Sequence, residues 1–102
     1  MSHRKIAFHR IADSALRNAD TIVQRWLPGG RREGREWIVV NPTRGDARPG
    51  SFKVNLTTGR WSDFATGDRG GDLISLAAYV FKIGQVDAAQ RVAAMLSVDV
   101  YE

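Results

Sequence analysis

Hydrophobic residues recur with helical spacing near the start of the chain. Residues 1–9 are basic and carry no such pattern, so we predict a loose lead there. From Ile11 the spacing predicts a first helix, and residues 22–27 form the apolar part of a second, short helix. Asn18 or Asp20 is suited to cap this second helix, and the Pro-Gly-Gly sequence at 28–30 ends it.

A second helical pattern occupies the last third of the chain. Residues 73–81 keep the i, i+3, i+4, i+7 spacing of a buried helix face, directly after Asp72, a good N-cap residue. We expect Gly84 to end this helix. A further amphipathic helix is predicted from about Gln85 to Leu96. Its inward positions are predicted to be Val86, Ala89, Val92, Ala93 and Leu96.

The middle of the chain has the two-residue alternation of β-strands. Residues 36–40, 51–55 and 60–64 are rich in β-branched and aromatic residues, and 56–59 has the composition of a hairpin turn. These segments predict a meander of about three antiparallel strands. We interpret residues 31–35 as a charged turn and the glycine-rich 66–72 as a loop. The predicted fold class is α+β, with N-terminal helices, a small antiparallel sheet and two C-terminal helices.

Length and composition exclude several classes of protein. A chain of 102 residues with 43% hydrophobic residues suits one small domain, residues 1–102, with one modest core. The lack of cysteine excludes disulfides, thiol catalysis and cysteine-based metal sites. No apolar run approaches the roughly 18 residues of a membrane span, and the basic start lacks the apolar region of a signal peptide. We therefore expect a cytoplasmic protein with no membrane partner.

Charge is distributed unevenly. Residues 1–69 carry 13 basic and 7 acidic side chains, whereas residues 70–102 carry 2 and 4. Twelve of the 15 basic residues are arginines, whose planar guanidinium suits phosphate contact and base stacking. A nucleic acid is the natural partner for such a surface, although a solvated arginine face on an ordinary soluble domain has the same composition.

Signals of catalysis are weak. Both histidines lie in the predicted lead, and the sequence contains neither a nucleotide-binding glycine motif nor a plausible catalytic triad. A carboxylate trio of Asp63, Asp68 and Asp72 is a conceivable Mg²⁺ site, but a hairpin end, a solvated loop and a helix cap account for the three acids better. The loop 67–71 is a conceivable phosphate site at a helix start, although Asp72 would repel an anion there. We expect this chain by itself not to be an enzyme and to need no cofactor.

Four segments together resemble a known family. They are Asn-Pro-Thr-Arg at 41–44, Pro-Gly-Ser-Phe-Lys-Val at 49–54, Gly-Arg-Trp-Ser-Asp-Phe-Ala-Thr-Gly at 59–67 and Gly-Gly-Asp-Leu-Ile-Ser-Leu at 70–76. In this order they resemble the Cys-His-Cys-Cys zinc-binding domain at the N-terminus of bacterial and phage DNA primases, over roughly residues 20–81. That domain has a zinc-ribbon-like sheet, a Pro-Ser-Phe-x-Val element and a Cys-Phe-x-Cys-Gly strand.

The four zinc-ligand positions of that family depart from its pattern. They carry Asn41, Arg44, Asp63 and Thr66, so the resemblance is to a degenerate zinc finger that has lost its metal. Zinc normally contributes much of the folding free energy of so small a sheet. We therefore expect Trp37, Trp61 and polar contacts at the former site to replace it, including a salt bridge between Arg44 and Asp63.

The resemblance implies a function in DNA replication. Such a domain binds single-stranded template DNA and helps to start primer synthesis by a separate primase catalytic domain. Metal-free versions resemble parts of the replication proteins of plasmids, phages or integrative elements. These are mobile genetic elements. The expected nucleic-acid-binding residues are Arg31, Arg32, Arg35, Arg44, Arg48, Lys53, Arg60, Trp61 and Arg69.

Two questions stay open at this stage. Aromatic residues of the strands are either core residues or stacking surfaces for bases. We expect Phe52 and Phe64 to be buried and Trp61 to be the best exposed candidate, with Trp37 as a further possibility. The alternative function is a protein interaction module that docks a helicase, a polymerase or a second copy of the chain. An exposed apolar stripe on the helix at 85–96 would favour that alternative.

Overall fold

Two helices, five strands and two further helices follow one another along residues 4–44 and 50–102, the part of the chain that the computed structural model describes. The helices are α1 (Phe8–Arg17), α2 (Ala19–Trp26), α3 (Leu73–Phe81) and α4 (Gln85–Leu96). The strands are β1 (Arg31–Glu33), β2 (Glu36–Val39), β3 (Phe52–Asn55), β4 (Trp61–Asp63) and β5 (Arg69–Gly70). The predicted α+β class is confirmed.

The strands form one antiparallel sheet in the order β1-β2-β3-β4-β5. The three predicted strands correspond to β2, β3 and β4, so the predicted count of about three is too low. Residues 31–33, which form β1, read as part of a charged turn because all three are charged, and in the structure all three are exposed. β5 is only two residues long and lies in the glycine-rich segment interpreted as a loop. Both additional strands are edges of the sheet, where side-chain alternation carries the least information.

The sheet has two different faces. On the core face, Val39, Phe52 and Val54 pack with Trp61 in the hydrophobic core. The opposite face, which we call the outer face, carries residues of the alternate positions. They are Arg31, Glu33, Glu36, Ile38, Lys53, Asn55, Ser62 and Arg69. Ile38 is buried on this side but is not part of the hydrophobic core cluster.

All four helices contribute to the core on the other side of the sheet. Ile11 of α1, Val23 of α2, Leu76 of α3 and Val92 of α4 are each 0 or 1% exposed. The cap of α3 is the one predicted: Asp72 Oδ1 accepts a hydrogen bond from the Ser75 backbone N–H at 2.8 Å. No helix within the described residues has the length and apolar character that a membrane crossing requires.

The N-terminal segment from residue 5 onward is fixed to the C-terminus. Ile6 forms a β-bridge with Tyr101, and the Ala7 N–H donates to the Val100 carbonyl at 2.8 Å. Arg10 donates to the carbonyls of Asp99 and Tyr101. The sequence patterns that predict a loose lead over residues 1–9 do not reveal these contacts, because Tyr101, the bridge partner of Ile6, lies 95 residues away in sequence.

Two details of the C-terminal helices also differ from the prediction. α3 ends at Phe81, with Lys82 in the left-handed conformation, and Gly84 is instead the N-cap of α4. In α4, Ala88 is buried and Val86 is 49% exposed. Since Asp87, Gln90 and Arg91 are exposed as well, the outward surface of α4 is mixed and is not an apolar stripe.

Candidate nucleic-acid interface

Basic side chains lie along one row of the outer face. The register places Arg31, Ile38, Lys53, Ser62 and Arg69 opposite one another on the five successive strands. Arg60 lies beside this row, where its carbonyl accepts a hydrogen bond from the Asn55 N–H at 2.7 Å. Antiparallel pairing thus brings together cations that are up to 38 positions apart in sequence.

A shallow concavity of about 380 Å³ lies over β3, β4 and β5. Its cationic lining consists of Lys53, Arg60 and Arg69. The remaining lining is mostly polar, with one acid: Glu36, Asn55, Thr58, Trp61, Ser62 and Gly70. The concavity therefore combines positive charge with neutral hydrogen-bonding groups.

The cations differ in how far neighbouring carboxylates neutralise them. Arg31 forms an ion pair with Glu33 at 2.6 Å, and Arg32 forms one with Asp20 of α2 at 3.3 Å. In contrast, no carboxylate among residues 4–44 and 50–102 forms an ion pair with Lys53, Arg60 or Arg69. These three cations are the part of the outer face most available to an anionic ligand.

The predicted binding residues fall into three groups. Arg31, Lys53, Arg60 and Arg69 share the outer face, and exposed Arg35 lies in the β1–β2 turn. Arg32 contacts α2 on the other side of the sheet, and Arg44 forms an ion pair with the buried Asp63. Arg48 lies outside the described residues.

Trp61 is 5% exposed, so the prediction that it is the best exposed aromatic residue is wrong. Its ring packs against Phe52 and Tyr79, with centroids 6.1 and 4.6 Å away, and its Nε1–H donates to Ser75 Oγ at 2.9 Å. Phe52 is buried, as predicted. Trp37 is half-buried and donates its Nε1–H to the Leu27 carbonyl at 3.0 Å.

Phe64 is 74% exposed, so the prediction of its burial is also wrong. Side chains alternate between the faces of a strand. With Trp61 and Asp63 on the core face, this alternation directs Ser62 and Phe64 outward. Residue hydrophobicity predicts the opposite arrangement, with the phenylalanine inside and the aspartate outside. In the structure the aspartate is buried and the phenylalanine is exposed.

Asn41, Arg44 and Asp63, at three of the positions compared above with zinc ligands, are joined by a hydrogen-bonded network. Asp63, 0% exposed, accepts from Asn41 Nδ2 at 2.8 Å and from Arg44 Nη1 at 3.3 Å, which confirms the predicted salt bridge. Asn41 Nδ2 also donates to the Tyr79 hydroxyl at 2.8 Å, and Asn41 Oδ1 accepts from Thr43 Oγ1 at 2.7 Å. Among the described residues, no buried side-chain nitrogen or oxygen lacks a partner.

Two residues of this network were not predicted from the sequence. Tyr79 reads as one more large residue of the amphipathic helix α3, and Thr43 as a loop residue. Thr66, the fourth position compared above with a zinc ligand, is exposed and accepts a hydrogen bond from the Asp68 N–H at 3.1 Å. It is thus not part of the buried network.

The Asp63 carboxyl is held in its ionised form. Burial by itself raises its pKa, but hydrogen bonds from Asn41, the Ala65 N–H, Ser51 and Arg44 outweigh burial and lower the pKa below the ordinary value of 3.8. The negative charge that compensates Arg44 is therefore present at neutral pH.

The three acids of the conceivable Mg²⁺ site have separate contacts. Asp63 binds Asn41 and Arg44, Asp68 accepts from the Tyr79 hydroxyl at 2.8 Å, and Asp72 caps α3. Within 4–44 and 50–102, no group of three or more histidine, aspartate or glutamate side chains is arranged to hold a metal ion. The start of α3, the conceivable phosphate site, is occupied by the Asp72 carboxylate.

Comparison with known proteins adds a likeness of fold. No protein-family model and no curated protein matches the chain. A solved structure, the crystal structure of the Aquifex aeolicus primase with its zinc-binding and RNA polymerase domains, superposes with a TM-score of 0.70. The chain has a primase-like fold. The superposition covers 87% of this chain and 22% of the Aquifex chain, at 21% sequence identity. At this identity the likeness establishes the shared primase-like fold.

Proposed function

We propose that this domain is a nucleic-acid-binding accessory module of a DNA primase system, and that it contacts single-stranded template DNA through the outer face of its sheet. Catalysis then belongs to a separate primase domain or chain. The observation that carries the proposal is the set of three cations, Lys53, Arg60 and Arg69, that share one concavity and form no ion pair with the described carboxylates.

Electrostatics supports this face as the contact surface. Phosphate neutralisation by lysine and arginine supplies most of the sequence-independent affinity for nucleic acid, and three clustered cations are enough for a salt-dependent contact. Among the described residues, the acids on the outer face are Glu33, which already pairs with Arg31, and Glu36, which lines the concavity. Neither forms an ion pair with the three clustered cations, which outnumber the one acid of the concavity.

The shape of the surface favours a single strand over a duplex. The basic groups lie on a shallow strand surface, and the described helices pack on the other side of the sheet, where α3 starts with its own carboxylate cap. No described helix is thus positioned beside this face to enter a major groove. The primase-like fold and the sequence resemblance to the primase zinc-binding domain support the same ligand.

The proposal is tested by comparing two triple variants with the same change in charge. The test variant replaces Lys53, Arg60 and Arg69 with alanine. The control replaces Arg25, Lys82 and Arg91, exposed cations of the helical side. Binding to a labelled single-stranded oligonucleotide is followed by fluorescence anisotropy across a salt series.

We expect the test variant to bind more weakly and to lose about 2 from the slope of log K against log salt, since each single-strand phosphate contact contributes about 0.7. The control should keep the wild-type slope. Equal losses in both variants would show that binding depends on net charge alone. Absence of wild-type binding at low salt would refute the function itself.

A further inference from the structure

Phe64 is exposed far beyond what packing explains. It is 74% exposed, whereas the other exposed large hydrophobic residues among those described are 37–49% exposed. Leaving a phenylalanine ring in water forgoes roughly 2 kcal/mol of burial. A position that accepts this cost at the edge of a proposed binding face is a candidate contact residue.

The position of Phe64 continues the outer face. The residue directly follows β4, and its N–H donates to the Ser51 carbonyl at 3.0 Å, so the β3–β4 ladder extends to it. Strand alternation places it two positions after Ser62, on the outer face. The Lys53 ammonium lies 5.5 Å from the centre of its ring. An aromatic surface and a phosphate-binding cation are thus neighbours.

The turn that presents Phe64 is fixed by Asp63. One carboxylate oxygen of Asp63 accepts a hydrogen bond from the Ala65 N–H at 2.8 Å. The backbone carbonyl of Asp63 accepts a second one from the Gly67 N–H at 2.8 Å. The same side chain is anchored in the core by Asn41 and Arg44. Because the backbone on both sides of Phe64 is held, little backbone freedom remains to be lost when the ring meets a ligand.

We propose that Phe64 is the base-stacking residue of this interface: an unpaired base stacks on its exposed ring while Lys53 contacts the adjoining phosphate. This inference rests on the proposed function. Every base has a π-face, so a ring on a fixed turn adds affinity for single strands without sequence preference. Trp61, Phe52 and Trp37 cannot play this part in the same way, because their rings are buried or half-buried.

The experiment compares two oligonucleotides of equal length and charge, one with bases and one made of abasic deoxyribose phosphates. Wild type, Phe64→Ala, Phe64→Trp and the control Val86→Ala, which trims another exposed apolar side chain on the helical side, are measured by anisotropy at several salt concentrations. Thermal unfolding of Phe64→Ala should match wild type, since the ring has few contacts to lose.

We expect Phe64→Ala to bind the base-containing strand roughly 5- to 100-fold more weakly, with an unchanged salt slope because no charge is removed. It should bind the abasic strand as wild type does. Phe64→Trp should restore binding, and its tryptophan fluorescence should be quenched more strongly than that of wild type. Val86→Ala should bind both strands normally.

Two results would overturn the inference in different ways. If wild type binds with the expected salt dependence but Phe64→Ala binds the base-containing strand equally well, stacking on Phe64 is wrong and the proposed function stands. If Phe64→Ala binds the base-containing strand and the abasic strand more weakly by the same factor, stacking on Phe64 is likewise wrong and the proposed function stands. If wild type binds neither strand at low salt, the proposed function fails and the inference fails with it.

Discussion

Asp63 connects the stability of this domain to its binding surface. Its buried carboxylate accepts from Asn41 and Arg44 in the interior and from the Ala65 N–H in the turn that carries Phe64. In the zinc-binding family that this sequence resembles, a metal ligand occupies the same position. Here one negative charge and its hydrogen bonds hold together segments that are about 20 residues apart in sequence.

The charge of Asp63 predicts how stability depends on pH. Because the folded-state pKa lies below the ordinary 3.8, the carboxylate stabilises the fold fully above about pH 5, and this contribution is lost as pH falls through 3.8 towards the folded-state pKa. Asp63→Asn removes the charge at every pH. We expect it to lower the free energy of unfolding at pH 7 by about 1–3 kcal/mol.

Urea unfolding of wild type and Asp63→Asn at several pH values between 7 and 2.5 measures this dependence. The difference in stability between the two proteins should be constant near neutral pH and should shrink in acid. The other carboxylates titrate in both proteins and cancel from the difference. A difference that stays constant or grows down to pH 2.5 would contradict the assignment.

At the residue scale, sequence patterns located the charged pair but misplaced the aromatics. The Arg44–Asp63 salt bridge followed from opposite charges at two positions that the family resemblance brings together. Phe64 is expected in the core because large aromatics normally enter it, whereas Trp61 is expected at the surface as a candidate for base stacking. The two-residue period alone would have grouped Trp61 with Asp63 and Phe64 with Ser62. It does not reveal which set faces inward, because each contains one aromatic and one polar residue.

At the element scale, the central strands and the helices were recognisable and the sheet edges were not. β2 is rich in β-branched and aromatic residues, β3 has apolar residues at alternate positions, and β4 begins at Trp61 and is followed by Phe64. β1 consists of Arg-Arg-Glu, and its strand conformation depends on pairing with β2 through the tight turn at Gly34, whose φ is +59°. β5 depends in the same way on β4. Pairing partners, not local composition, determine these two elements.

Gly70 in β5 provides a test of how closely this edge packs. A Cβ built at Gly70 would overlap the Trp61 indole, a rigid ring that is also hydrogen-bonded to Ser75. Gly70→Ala should therefore lower the free energy of unfolding by about 1–3 kcal/mol, as overpacking does. The adjacent Gly71 offers a matched control, because a Cβ there meets no heavy atom within 4 Å.

Thermal unfolding of the two variants measures the effect directly. For a domain of this size, 1 kcal/mol corresponds to roughly 4–8 °C in Tm. Gly71→Ala should unfold at or slightly above the wild-type temperature, since alanine reduces the entropy of the unfolded chain. Equal Tm values for the two variants would show that β5 does not pack on Trp61 as described.

At the scale of the whole molecule, the helices cover one face of the sheet, and no described helix packs on the other, open face, where Ile38 is the one buried residue of those described. The covered face carries the core, which includes residues of all four helices and of β2, β3 and β4. The open face carries the cations and the exposed ring. The core that stabilises the fold and the proposed binding surface therefore lie on opposite faces of the same sheet. Asp63 at the end of β4 is linked to both.

The hydrogen-bonded network around Asp63 predicts that folding does not depend on zinc. In small zinc domains the metal contributes much of the folding free energy, and chelators unfold them. Here Asn41, Arg44 and Asp63, at positions that the resemblance aligns with zinc ligands, satisfy one another as an amide, a guanidinium and a carboxylate, and the Arg44 charge opposes a cation. We expect Tm to be the same within about 1 °C in buffer, in excess EDTA and with added Zn²⁺. Asp63→Asn should lower Tm equally in all three solutions, which separates loss of the network from loss of a metal. A Tm that falls by several degrees in EDTA and recovers with Zn²⁺ would show that a metal still stabilises the fold.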